Sequence, residues 1–282
     1  MKYMEGEIVY MKTSIRMMTI LKMGIRRILL CPITPFKIFE EIGISPDPIG
    51  PVMILSLVIV LHVLVRPMAY SKLAILLIDG NFSTTLEIKR IDNTLLLNSV
   101  NRSISPLDLV GVQSYIDAYA PPLSKYSLYY VISFIILWTI MYSLSLILAK
   151  LLGGYPTPLG VATMYTQIVR VISEALALVP ILSLSYGVKD VVVVLPKGVK
   201  GMSLDILIKY VLSRAIELKE PMISQCISAI GLFLTLWNIV ILIAMFSSST
   251  RMELKYSIIS AIACYFLTIL IHGPVMSVIT HL

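Results

Sequence analysis

Residues 126–152 read YSLYYVISFIILWTIMYSLSLILAKLL, an apolar run whose one charged residue, Lys150, stands near its end. A helix rises about 1.5 Å per residue, so about 20 such residues cross the ~30 Å of hydrocarbon in a bilayer. Four more runs of this kind occupy residues 50–78, 159–186, 221–246 and 256–280. They are continuous rather than alternating, which is the pattern of helices and not of barrel strands. A mean hydropathy of +0.90 with only 14% charged residues excludes an ordinary soluble domain.

The expected fold is an all-α transmembrane bundle of five membrane-spanning helices. The spans are 49–79, 126–152, 159–186, 221–247 and 256–280. Residues 1–48 precede them as cytoplasmic amphipathic and lead-in helices, and two long connections, 80–125 and 187–220, form a small α+β outer module. Seven Lys/Arg stand before the first span, which places the N-terminus in the cytoplasm and, after five crossings, the C-terminus outside. In a prokaryote the membrane would be the plasma membrane. Two sequons, at Asn81 and Asn101, lie in the first long connection.

The N-terminal segment is basic and amphipathic. At 100° per residue Lys12, Arg16, Lys22, Arg26 and Arg27 fall within an arc of about 140°, opposite Met11, Met18, Leu21, Ile25 and Leu29. This predicts an interfacial helix whose cations meet anionic lipid headgroups. A cleaved signal peptide does not fit, because Lys and Arg interrupt every apolar run before Ile28 and no small-x-small site follows. Pro32 and Pro35 stop the helix, and Thr34 then reads as an N-cap with Pro35 at the first helical position. Phe36, Phe39 and Ile42 make an apolar face on that second helix. Pro46-Asp47-Pro48 leads the chain into the first span, whose helix is expected to pass a kink at Pro67 and continue to Ile78.

In the long connections, Thr85 to Ile91 and Thr94 to Val100 predict a hairpin turning at Asp92-Asn93, and Asp190 to Leu195 predicts a third strand. Helices are expected from Ser105-Pro106 towards Tyr119 and from Ser203 to about Leu218.

Charge inside hydrocarbon costs about 2.5–3.5 kcal/mol per residue on insertion scales, so each case needs a partner or a wet cavity. The third span carries Arg170 and Glu174 four residues apart, with Gln167 a turn earlier on the same side. Two readings stay open for this intramembrane polar site: a polar pathway, or an ion pair that fixes helix packing. His62 and His272 stand in the first and last spans with no carboxylate beside them in sequence, and no metal site is expected. Asn238 is expected to hydrogen-bond a neighbouring helix. Gly153-Gly154 suits close backbone approach in a tight turn. The three cysteines, Cys31, Cys226 and Cys264, have neither metal-ligand spacing nor a disulfide pattern and read as packing residues. No nucleophile elbow, P-loop, HExxH or dinucleotide fingerprint occurs, so no catalytic residue, cofactor or nucleic-acid partner is expected.

Three places resemble the Yip1-domain family of five-span integral membrane proteins. They are Pro35-Phe36-Lys-Ile-Phe39-Glu40-Glu41-Ile42 with Pro46-Asp47, then Leu152-Gly153-Gly154-Tyr155 with Gly160-Val-Ala-Thr-Met-Tyr165, and Leu236-Trp237-Asn238-Ile-Val. The resemblance implies a cytoplasmic N-terminus, an outside C-terminus and no active site. It also implies a non-enzymatic role in organising protein or lipid partners, with another membrane protein or a second copy as partner. The alternative reading is a transporter or permease subunit using the polar site on the third span.

Overall fold

The computed structural model describes residues 18–70, 74–91, 94–105, 123–183, 191–197, 214, 217–218 and 221–281. Its helices are α1 (residues 18–30), α2 (Pro35–Ile44), α3 (Ile49–Tyr70), α4 (Leu123–Leu151), α5 (Leu159–Tyr165), α6 (Ile168–Leu176), α7 (Leu178–Ser183), α8 (Pro221–Ala244) and α9 (Leu254–His281). The strands are β1 (Ala74–Ile78), β2 (Phe82–Ile91), β3 (Thr94–Val100) and β4 (Val191–Pro196). Among the described residues, three stretches are long and apolar enough to cross a membrane: Leu128–Leu151, Pro221–Ser249 and Leu254–Met276. Only 22%, 28% and 22% of their apolar windows are buried inside the protein, so most of that surface is free to meet lipid. A shorter apolar helix covers Ile49–Val65.

The chain divides into two compact units. The first comprises residues 1–60, 129–173 and 232–282 and is helical. Its core includes Ile38, Phe39, Ile42, Phe134, Leu159, Tyr165, Ile241 and Phe246, all fully buried. Helix α2 starts at Pro35 as expected, but the Thr34 hydroxyl donates back to the Leu30 carbonyl (3.3 Å) instead of capping it. The buried face of α2 is Pro35, Ile38, Phe39 and Ile42, and Phe36 is exposed, because i, i+3, i+4 and i+7 define a helical face more closely than i, i+3 and i+6. Beyond Ala244 the helix widens into a π turn over Met245–Ser249, which packs on α2. Gly43 allows this approach, since a Cβ there would lie 3.0 Å from the Ser249 carbonyl oxygen. Gly154 likewise faces Thr250 and Met252, and the Tyr155 amide donates to the Thr250 carbonyl at 2.8 Å.

The expected third span is not one continuous helix. It is α5, α6 and α7, with breaks at Thr166-Gln167 and at Ala177. At the first break the Gln167 and Arg170 amides bond three residues back, to Met164 and Gln167 carbonyls. The Thr163 and Thr166 hydroxyls take the Leu159 and Thr163 carbonyls at 2.7 Å each. Such side-chain competition for carbonyls bends helices.

The second unit, residues 61–128 and 174–231, holds a mixed four-stranded sheet in the order β1-β4-β3-β2. The predicted hairpin forms, with Ile91 opposite Thr94 and Glu87 opposite Asn98. Its turn residues, Asp92 and Asn93, lie outside the described residues. The predicted third strand forms too, as β4, and inserts parallel to both neighbours: Val192 pairs with Ala74 and with Leu96. Strand β1 corrects the expectation that the first span runs as helix to Ile78. That helix continues through Pro67 but ends at Tyr70, and Ala74–Ile78 is extended. Both faces of β3 and β4 are buried; β4 is an unbroken apolar run, as a strand between two parallel neighbours requires, while β3 buries Asn98 and Ser99, the Ser99 hydroxyl donating to the Val194 carbonyl. Asp79 and Lys197 pair at 2.9 Å where β1 and β4 end. Asn81 and Asn101 are exposed at the far ends of β2 and β3. The two expected helices of this module fall mostly outside the described residues, apart from helical Arg214, Glu217 and Leu218.

Candidate functional site

Helix α1 turns three different sides to its surroundings. Gly24, Arg27, Ile28 and Cys31 form a buried stripe. Met18, Leu21, Ile25 and Leu29 form an exposed apolar stripe beside it, and Lys22 and Arg26 are exposed next to that. Arg27 therefore leaves the expected headgroup-binding face: it is 2% exposed and bonded within the protein. Lys12 and Arg16 lie outside the described residues.

Arg27 is held by three residues of one stretch, Glu41, Ser45 and Asp47. One guanidinium nitrogen donates to Asp47 Oδ2 (2.7 Å) and to the Ser45 carbonyl (2.8 Å), and the other donates to the Glu41 carbonyl (3.2 Å). Asp47 is saturated in turn. Its Oδ2 accepts from the Tyr165 hydroxyl at 2.8 Å, and its Oδ1 accepts from the Gly50 amide at 2.7 Å, as a capping carboxylate does at a helix N-terminus. Gly50 must lack a side chain, since a Cβ there would fall 1.8 Å from the Tyr165 hydroxyl oxygen. Glu41 adds an outer layer, pairing with Arg26 at 2.9 Å and standing 3.7 Å from Arg27 Nε. Burial pushes the nearby Cys31 thiol up to about 12, and its sulfur lies 3.9 Å from the Tyr165 carbonyl oxygen. Trp237 Nε1 donates to the Pro32 carbonyl at 3.0 Å, tying down the end of α1. The charges of the cluster balance, and its polar groups point at one another apart from Arg27 Nε, which is buried without a hydrogen-bond partner; the arrangement is that of a clamp.

The polar residues of the third apolar run find separate surroundings. Gln167 is buried, with Nε2 3.2 Å from the Met141 sulfur. The Arg170 guanidinium lies over the rings of Tyr130 and Phe134, 5.4 and 5.5 Å from their centroids, in cation–π geometry. In the second unit, Glu174 meets His62, whose Nδ1 is 3.2 Å from both carboxylate oxygens. This pair corrects the expectation that no carboxylate accompanies His62. The partners are 112 residues apart, beyond any local spacing rule. His272 is placed elsewhere: its Nε2 is 3.2 Å from both the Ser133 hydroxyl and the Ser133 carbonyl oxygen. Asn238 differs from expectation in that its Oδ1 is buried without a hydrogen-bond partner. Among the described residues no three His, Cys, Asp or Glu gather to hold a metal ion.

These observations describe a membrane-type helical unit with a clamped amphipathic helix and a separate mixed sheet. Compared with protein-family models, curated proteins and solved structures, the chain matches none.

Proposed function

We propose that this chain is a five-span, non-enzymatic membrane protein of Yip1-like organisation that gathers lipid or protein partners at the membrane surface, with its N-terminus cytoplasmic and its C-terminus outside. The observation that carries the role is α1. Its buried stripe is anchored through Arg27, while its apolar stripe stays exposed beside Lys22 and Arg26. A helix so divided fits the plane of an interface, apolar side towards acyl chains and cations towards anionic headgroups.

Sheet pairing supports the span count. Strand β4 is hydrogen-bonded between β1 and β3, so residues 74–100 and 191–196 must share one side of the membrane. The apolar stretch Leu128–Leu151 lies between them in sequence, and one crossing there would part them. A return crossing is needed, and α5 to α7 supply about 25 residues for it, enough at ~1.5 Å each. Helix α3, with 22 residues, supplies the first crossing, and α8 and α9 the last two.

The role is tested on the purified full chain by mass spectrometry of retained lipid. Lys22→Gln combined with Arg26→Gln is expected to lower bound phosphatidylglycerol about thirtyfold, as loss of two headgroup cations at ~1 kcal/mol each implies. Unchanged retention contradicts the role.

A second reading, a transporter or permease subunit, is favoured by the His62–Glu174 pair, a protonatable couple on two apolar helices. It expects Arg170→Gln and Glu174→Gln each to abolish proton-coupled dye response in proteoliposomes while the protein still inserts and melts normally. Equal loss of folding in both variants instead assigns these groups to packing.

A further inference from the structure

We propose that the cleft between α2 and the turn joining the last two helices binds the headgroup of a phosphatidylethanolamine. The proposal rests on the reading that α8 and α9 cross the membrane, which sets their connecting turn at headgroup level. The cleft measures about 500 Å³, within the range of small-ligand sites. Glu40 and Ile44 line one side, Ser247 and Ser248 another, and Arg251 and Glu253 a third.

Three features select the ligand. The carboxylate of Glu40 and the guanidinium of Arg251 line the same cleft, and neither has an ion-pair or hydrogen-bond partner among the described residues. Glu253, by contrast, is neutralised by Lys255 at 3.2 Å. One unspent charge of each sign fits a zwitterion better than an anion or a cation. The lining also contains no aromatic ring. A trimethylammonium group has no N–H and is recognised by aromatic cages, so choline is disfavoured, whereas a primary ammonium can donate to Glu40. Its phosphate can then accept from Arg251 and from the serine hydroxyls. Finally, Ile44 in the lining is 71% exposed, giving acyl chains an apolar surface to follow away from the headgroup.

Arg251 has φ +55°, a left-handed conformation uncommon for a residue with a side chain. Gly43 forms part of the lining and carries no side chain to intrude.

The test is a lipid titration of the detergent-purified full chain by native mass spectrometry, using phosphatidylethanolamine, phosphatidylcholine and phosphatidylglycerol with identical acyl chains. Phosphatidylethanolamine should bind about tenfold more tightly than phosphatidylcholine, and Glu40→Gln or Arg251→Gly should each remove most of that preference, the scale of one charge-assisted hydrogen bond. Both positions are exposed, and thermal melts identify any variant that has lost its fold; Ser248→Ala then serves as a third probe with a smaller expected loss. Equal binding of the two zwitterionic lipids, or a preference that survives all three substitutions, overturns the proposal. Alkaline extraction of cell membranes separates this failure from failure of the membrane reading: a chain released into the supernatant sinks both, and a chain retained in the pellet without the lipid preference sinks the headgroup site alone.

Discussion

Asp47 accepts three hydrogen bonds while fully buried, so its charge is matched by Arg27 and its lone pairs by Tyr165 and Gly50. Breaking one side of such a pair leaves an uncompensated buried charge, which costs about 3–5 kcal/mol. Asp47→Asn is therefore expected to lower stability by about 3 kcal/mol in a denaturant or thermal melt, and Tyr165→Phe by only about 1 kcal/mol, since one neutral donor is lost. Gly50→Ala should be worse than Tyr165→Phe, and the double variant should recover part of the loss because it removes the clashing hydroxyl. Arg251→Gly should act in the opposite sense, adding about 1 kcal/mol by relaxing a left-handed residue. The Cys31 thiol, held protonated by burial, should resist maleimide at pH 8 until the protein unfolds. Little of this was legible in the sequence. A helical wheel places Arg27 with Arg26 and Lys22, because it records angle and not what packs there. The partner carboxylate sits 20 residues on, in a loop that read only as a lead-in to the first span.

At the scale of elements, what depends on local pattern was readable and what depends on contact was not. The hairpin and β4 follow from β-branched runs bounded by turn residues, and α4, α8 and α9 from unbroken apolar length. Strand β1 was hidden because Ala74–Ile78 continues the apolar character of α3, and a short apolar run has no period that separates strand from helix. The breaks between α5, α6 and α7 were hidden because Thr and Gln in an apolar run signal polarity and not which carbonyl they take. The sheet offers a direct test of its own. Val193 is fully buried on β4, facing Ile75 and Leu97 across the two ladders. Val193→Asp is expected to expose β1–β3 to limited proteolysis while leaving the membrane-spanning helices extractable only with detergent. A protease pattern identical to that of the parent contradicts the central place given to β4.

For the molecule as a whole, the proposed membrane reading meets a constraint in the pairing of strands from two distant connections, which limits how often such a chain can cross the bilayer. The charge pattern by itself is weak here, since the two long connections carry as many Lys/Arg as the inside segments. The parity of crossings is the stronger argument, and it rests on β4 lying between β1 and β3. Its most direct test is accessibility labelling in a background lacking the three native cysteines. Single cysteines at Glu87 on β2, at Lys197 after β4 and at Glu40 on α2 are treated with a membrane-impermeant maleimide in intact cells; all three positions are exposed. The account predicts that Glu87→Cys and Lys197→Cys both label from outside, and that Glu40→Cys labels only after permeabilisation. Labelling of Glu87→Cys and Lys197→Cys from opposite sides of the membrane contradicts it.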